Sequence, residues 1–217
     1  MNQSVNLLAR LHWLGHDAFR LDGPPIIYFD PLNLAGSPRQ ADVILISHQH
    51  TDHCSPADVA RIRGPQTVVI ANPAAAQKLP EPVRVLRPGE RTTAAGVEIE
   101  AVPAYNVRRF RAPGVPFQPR EAQHVGYIVT VEDGQRLYFA GDTDRIPEMA
   151  DIDCDVALLP VGGTYTMDAA EAAEAATVIE PGVAVPMHWG GGVVGTRADA
   201  EQFRDLCAGP VVILDQD

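Results

Sequence analysis

Apolar runs that end at metal-binding side chains constrain the fold of this chain more than any other feature. The run ADVILIS (41–47) is followed directly by HQHTDH (48–53). In the same way, RLYFA (136–140) is followed by Gly-Asp, and GVAVPM (182–187) is followed by His188. Short apolar runs bounded by Gly, Pro and Asp are typical of buried strands. Three strand ends that each supply an imidazole or a carboxylate favour one shared metal site at a sheet edge.

Further patterns predict the rest of the framework. Additional strands are expected at LHWLG (11–15), PIIYFDP (25–31), TVVIANP (67–73), VEIEAVPAY (97–105), VGYIVTVEDG (125–134) and DVALLPVGG (155–163). Helices are expected at SPADVARIR (55–63), TMDAAEAAEAATVI (166–179) and RADAEQFRDLC (197–207). Asp168 with Glu171 predicts a helix cap, and Asp133-Gly134 predicts a hairpin turn. Mostly antiparallel early strands and later βαβ alternation predict an α+β fold of two packed sheets with outer helices.

Composition limits the classes of function. The 217 residues with 46% hydrophobic content predict one domain, 1–217. A net charge of -11 argues against nucleic acid and anionic lipid as partners. Neither a signal peptide nor a spanning segment is indicated, so no membrane partner is expected. Three widely spaced cysteines predict free thiols and a cytoplasmic protein, and a homo-oligomer is compatible with the sequence.

The HQHTDH string carries the strongest chemical signal. His48 and His50 are two apart in extended chain, so both can face one metal ion. Once the chain turns, Asp52 and His53 can face a neighbouring position. Imidazole nitrogen combined with carboxylate oxygen suits zinc, and also iron or manganese. A lone histidine would mean little, but four such residues within six positions after a buried strand predict a metal site.

These motifs resemble a known superfamily. HQHTDH resembles the HxHxDH motif of the metallo-β-lactamase superfamily, AGDTD (140–144) resembles its metal-bridging aspartate, and PMHWG (186–190) resembles its last histidine. The order is similar along nearly the whole chain, from GHDAF (15–19) onward. IIYFDPL, GDTDRIPEM and LLPVGGTYTMD are similar to small stand-alone Zn-dependent hydrolases, a branch related to ascorbate-6-phosphate lactonase. The resemblance implies a four-layer αββα sandwich with a two-metal centre between the sheet edges.

The resemblance also implies roles for individual residues. The first metal position would take His48 and His50, the second would take Asp52, His53 and His188, and Asp142 would bridge the two. The implied cofactor is zinc, one or two ions, with manganese or iron as alternatives. Asp52 is also the expected catalytic residue, because its carboxylate can orient a water or carry its proton to the leaving group.

The sequence departs from the superfamily pattern at the first metal position. Asn106 stands where a third histidine is usual, and Gln118 stands in FQP where related sequences often have FHP. An amide is a weak zinc ligand, so Asn106 is not placed in the metal shell. Three readings stay open: His124 supplies the missing ligand, the first metal is held without a third imidazole, or only the second position is used.

Candidate substrate-binding residues are His16, Arg109, Gln118 and Tyr165. Arg109 is one of four arginines in the Pro- and Gly-rich segment 106–123, which we interpret as a long loop over the site. The arginines either form a solvated loop face or bind an anionic substrate. His16 is either a structural histidine or a site residue, and Asp30 is expected to accept a hydrogen bond from a ligand imidazole.

The function expected from these features is hydrolysis by a metal-bound hydroxide. The substrate would be an ester, lactone or phosphoester of a small anionic metabolite. One alternative is a catalytically weak or inactive protein that binds metal or metabolite through an incomplete first site. Another is a nuclease of the same fold, against which the negative charge counts.

Overall fold

The computed structural model describes residues 7–217, and residues 1–6 of the predicted domain lie outside this part. Two six-stranded sheets form its centre. The first sheet has, in spatial order, β1 (Leu11–Gly15), β2 (Ala18–Leu21), β3 (Ile27–Phe29), β4 (Ala41–Ile46), β5 (Arg63–Ala71) and β6 (Arg84–Val85). The second sheet contains β7 (Arg91–Ala94), β8 (Val97–Pro103), β11 (Val125–Thr130), β12 (Arg136–Phe139), β13 (Val156–Pro160) and β14 (Val183–Met187), with spatial order β14-β13-β12-β11-β8-β7.

Helices and a small hairpin complete the fold. The helices are α1 (Pro56–Ile62), α2 (Pro73–Ala76), α3 (Ala169–Ile179) and α4 (Arg197–Leu206). Two short 3₁₀ turns lie at Arg120–Ala122 and Pro147–Asp151. The segment predicted as an irregular loop contains a hairpin, β9 (Phe110–Ala112) with β10 (Val115–Pro116), separate from both large sheets.

Alternating side chains of β4 show how the layers form. Val43 and Leu45 point into the core between the two sheets, whereas Ile44 and Ile46 point to the opposite face, in the cluster that includes Val59 of α1. Successive strand residues face opposite sides, so a strand with apolar residues on both faces must be covered on both. The four-layer αββα architecture is therefore confirmed.

Strand direction changes within the first sheet. The pairs β1–β2 and β2–β3 are antiparallel, but β3–β4, β4–β5 and β5–β6 are all parallel. The expectation of mostly antiparallel early strands is confirmed up to β12, since β7–β8, β8–β11 and β11–β12 are antiparallel too. The pair β4–β5 is parallel because α1 lies between the two strands. A helical crossover returns the chain in its original direction and so joins parallel strands.

The local signals in the sequence are confirmed. Asp168 Oδ1 accepts a hydrogen bond of 2.9 Å from the Glu171 backbone N–H and caps α3. Asp133 and Gly134 lie in the turn between antiparallel β11 and β12, where Gly134 adopts φ +82°. Across residues 7–217, no helix has the length and apolar character needed to cross a membrane.

Candidate metal centre

The two sheets meet closely at the ends of β4 and β11. The Tyr127 hydroxyl donates a hydrogen bond of 2.8 Å to the Ile46 carbonyl, and the Val125 N–H donates one of 3.2 Å to the Ser47 carbonyl. His48 is the next residue after this junction. The chain therefore leaves β4 directly beside the ends of the second sheet.

The three predicted strand ends converge there. Asp142 follows β12 and lies between the histidines: its Oδ2 is 3.7 Å from His48 Nε2, and its Oδ1 is 3.2 Å from both His53 Nε2 and His188 Nε2. Donors bound to one ion at about 2.1 Å lie about 3.0–3.4 Å apart. The spacing around Asp142 Oδ1 fits a shared cation.

Potential ligand atoms form overlapping groups, each with all donors within 4.8 Å of one another. One group corresponds to the first predicted position and contains His48, His50 and Asp142. Two groups share the imidazoles of the second position: His16, Asp52, His53 and His188 form one, and Asp17, His53, Asp142 and His188 form the other. The structure thus brings together every residue that the resemblance implied as a ligand and adds His16 and Asp17.

Asp17 lies in the ligand cluster and was missed by sequence reasoning, as was Lys78 on the wall of the adjacent cavity. The Asp17 side chain is fully buried, with Oδ2 3.3 Å from His53 Nε2 and 3.8 Å from His188 Nε2. Neither carboxylate oxygen has a hydrogen-bond partner among the described residues. The one available signal was a charged residue inside the tight GHDAF turn between two apolar runs.

Asp30 and Ser47 contact the ligand histidines at Nδ1, on the side of each ring away from Asp142. Asp30 Oδ2 lies 2.8 Å from His53 Nδ1, as the sequence predicted, and accepts a hydrogen bond from the Ser47 hydroxyl. Ser47 Oγ also lies 2.9 Å from His48 Nδ1. Such contacts fix ring orientation, so the Nε2 atoms of both imidazoles face Asp142.

Unusual backbone conformations cluster at the site. His16, Asp30 and His188 adopt φ of +53°, +40° and +58°, in the left-handed region that side chains other than glycine rarely occupy. Such strain persists only where the surrounding structure enforces it, and it concentrates at functional sites. Gly162 makes room for His188, because a Cβ there would lie 2.7 Å from both His188 Nδ1 and the His188 carbonyl oxygen.

Imidazoles and carboxylates lie in direct contact at the second position. Burial would lower the pKa of His53, but the carboxylates of Asp142, Asp30 and Asp17 outweigh burial and raise it well above its usual value. Burial favours the neutral form of Asp142, yet His53 and His188 hold the pKa of this carboxyl well below its usual range. Similarly, Asp142 and Asp17 overcome burial and raise the pKa of His188 to about 9. This pocket of negative charge attracts a cation.

The first position has the opposite character. Burial and the nearby His53 lower the pKa of His48 well below its usual value. Burial, together with His50, lowers the pKa of His124 to about 4. The lowered pKa values favour the neutral form of both rings, which is the form that binds a metal.

Asn106, which stands where a third histidine is usual, and His124, the alternative ligand, lie in different environments. The Asn106 amide donates hydrogen bonds to Asp144 and to the Tyr165 carbonyl, which explains its burial without a metal. His124 stacks on His48 with 4.6 Å between ring centroids. It is absent from the groups of converging donors formed by the described residues.

Arg109 lies in an internal ion-pair cluster rather than in an open anion clamp. Its guanidinium contacts Asp144 at 3.2 Å, Asp168 at 3.0 Å and also Glu171. Only 11% of its side chain is exposed, and it does not line the cavity beside the site. Three carboxylates compensate its charge, so Arg109 fastens the 106–123 segment to α3.

A cavity of about 540 Å³ opens beside the site. Asp52 and Asp142 lie on its wall, together with the predicted substrate residues Gln118 and Tyr165. Lys78, the single lysine of the chain, also lines it. His16 is fully buried, with Nε2 3.4 Å from Asp52 Oδ2, so it faces the ligand cluster and not the cavity.

The donor set fits a divalent metal ion. Buried atoms without hydrogen-bond partners include His53 Nε2, Asp142 Oδ1 and both ring nitrogens of His188. Unpaired buried polar atoms are costly, and together they form the nitrogen and oxygen set that zinc, iron and manganese bind.

Comparisons with known proteins agree with this geometry. The family model described as a Beta-lactamase superfamily domain matches residues 10–188. A UPF0173 metal-dependent hydrolase of Thermococcus kodakarensis is 34% identical, with 95% of this chain and 96% of the relative covered. One of Methanopyrus kandleri is 36% identical, with 90% of each covered. A crystal structure from Parabacteroides distasonis superposes with a TM-score of 0.84 at 34% identity, covering 95% of this chain and 93% of that one. The chain therefore belongs to the beta-lactamase superfamily, within the UPF0173 family of metal-dependent hydrolases.

Proposed function

We propose that this metal-dependent hydrolase cleaves an ester, lactone or phosphoester of a small anionic metabolite. The observation that carries the proposal is the cavity that joins the converging ligands to the only lysine of the chain. A cavity of about 540 Å³ suits a small molecule. Phosphorylated sugar lactones fall within this class.

The residues have separable tasks. His53, His188 and Asp142 would hold the ion, and zinc, manganese or iron all suit these donors. An ion held there would supply Lewis-acid chemistry, making a water molecule more acidic and polarising the bond to be cleaved. The protein contributes fixed ligand positions, because Asp30 contacts Nδ1 of His53 and so fixes the orientation of the ring.

Asp52 is the proposed proton carrier. It is half-buried, lines the cavity and has its pKa lowered to about 2, since contacts with His16 and His53 outweigh burial. The ionised carboxylate can accept a proton from an attacking water and return it to the leaving oxygen.

We assign anion binding to Lys78 and not to Arg109, which the sequence pattern suggested. The Lys78 Nζ donates a hydrogen bond of 2.7 Å to the Gln49 carbonyl, which holds the ammonium at the cavity wall. An ammonium group pairs with phosphate or carboxylate as a point charge. Tyr165 and Gln118 line the same cavity and offer neutral contacts to the rest of the substrate.

The proposed setting is the cytoplasm. Cys54, Cys154 and Cys207 are free thiols, which suits a reducing compartment.

The experiment is a turnover assay on protein purified without a histidine tag. Aryl esters, sugar lactones and phosphodiesters are tested after removal of metal with a chelator and after addition of Zn²⁺ or Mn²⁺. We expect metal-dependent turnover of an anionic substrate that is lost in Asp142→Ala and kept in Asp153→Ala, whose side chain is 89% exposed. Failure of the protein to bind any metal would refute the proposal.

A further inference from the structure

The two oxygens of Asp142 face different environments. Oδ1 lies 3.2 Å from His53 Nε2 and 3.2 Å from His188 Nε2, on the side of the second metal position. Oδ2 accepts a hydrogen bond of 2.8 Å from Gln118 Nε2, on the side of the first metal position. The oxygen that would bridge to a first ion therefore already has a protein partner.

The other two donors of the first position are the imidazoles of His48 and His50. His48 Nε2 lies 3.1 Å from His50 Nδ1, and His48 Nδ1 lies 2.9 Å from Ser47 Oγ. A metal ion at this position would have to displace the Gln118 amide from Asp142 Oδ2, whereas the 3.1 Å between the two imidazole nitrogens is a spacing that one ion can bridge. It would then gain only three protein ligands, since Asn106 is engaged elsewhere.

Donors of the second position are unpaired, as are both ring nitrogens of His124, which stacks on His48 beside the first position, among the described residues. Within the described chain, both oxygens of Asp17, both nitrogens of His16 and of His188, and His53 Nε2 are buried without hydrogen-bond partners. A carboxyl group that is fully buried without hydrogen-bond partners, as Asp17 is, carries a desolvation cost that a bound cation offsets. The Asp17 carboxylate lies against the same imidazoles that approach Asp142.

We propose that the protein holds one resident divalent ion, in the second position, and that Asp17 is one of its ligands beside His53, Asp142 and His188. The hydrogen bond from Gln118 to Asp142 keeps the first position closed. Asp52 then lies at the open side of the ion, toward the cavity, with its carboxylate available for proton transfer. This inference rests on the metal dependence in the proposed function.

The contribution of Asp17 is measurable without any substrate. Asp17→Asn removes the charge and retains the shape of the side chain, so we expect the affinity for Zn²⁺ or Mn²⁺, measured by chelator competition, to fall at least about tenfold. The matched control, Asp153→Asn at an exposed position, should bind as the wild type does. Unchanged affinity in Asp17→Asn would remove Asp17 from the ligand set.

The number of ions tests the rest of the proposal, and it does not depend on how the Asp17 variant folds. Elemental analysis of reloaded wild-type protein should find one ion per chain. Gln118→His, which replaces the amide by a ligand, should bind two ions, whereas Gln118→Leu should still bind one. Two ions in the wild type, or one in Gln118→His, would overturn the inference. A wild type without metal would instead refute the proposed function.

Discussion

Asp30 fixes the ring of His53, with 2.8 Å between Asp30 Oδ2 and His53 Nδ1. Because Nδ1 is engaged, Nε2 points at Asp142 and Asp17. We predict that Asp30→Asn lowers the affinity for Zn²⁺ or Mn²⁺ by about 10- to 100-fold, since the ring loses its orienting carboxylate. Chelator competition measures the change. An affinity equal to that of the exposed-site variant Asp153→Asn would show that Asp30 has no such role.

Lys78 is predicted to recognise the charge of the substrate. Lys78→Ala should raise KM for an anionic substrate by about tenfold, because one charge-assisted contact is lost. Lys78→Arg keeps the charge and should retain most of the affinity, and a neutral aryl ester should show the same KM with all three proteins. Steady-state kinetics measures both. Equal loss for neutral and anionic substrates would contradict the assigned role.

Arg109 is predicted to act on stability and not on substrate binding. Arg109→Ala removes the closest cation from buried Asp144 and Glu171 and leaves Glu171 with the Arg108 guanidinium at 4.0 Å, which should reduce the free energy of unfolding by about 3 kcal/mol. Arg111→Ala, an exposed position in the same segment, should change it by less than about 0.5 kcal/mol. Urea unfolding measures both values. A raised KM with unchanged stability in Arg109→Ala would instead support an anion clamp.

Asp52 is predicted to move protons. Asp52→Asn should lower kcat by about 10²- to 10⁴-fold, because general acid–base catalysis contributes on this scale. The ion content should stay at the wild-type value, since four other side chains hold the ion. Turnover and elemental analysis on the same sample separate the two effects. Loss of the metal in this variant would identify Asp52 as a required ligand.

Local sequence patterns predicted much of the arrangement of strands and helices. The apolar runs predicted the strands that precede His48, Asp142 and His188, because burial on both faces of a strand leaves a continuous apolar stretch. The roles of Asp168 in a helix cap and of Gly134 in a hairpin turn were predictable, because each of these structures demands particular residue types.

Other features depend on how distant segments pack. Asp17 gave no clear signal, because its burial arises only when the β1–β2 turn packs against the end of β14. The parallel pairing of β4 with β5 depends on the position of α1, and the ion pair of Arg109 with Glu171 depends on α3. The contact between Gln118 and Asp142 joins residues 24 positions apart, beyond any short motif.

Anomalous diffraction from crystals of Mn²⁺-loaded wild-type protein tests the central claim most directly. The account predicts one strong peak per chain, within about 2.3 Å of ligand atoms of Asp17, His53, Asp142 and His188. A peak between His48 and His50, or a map without a peak at this cluster, would contradict it.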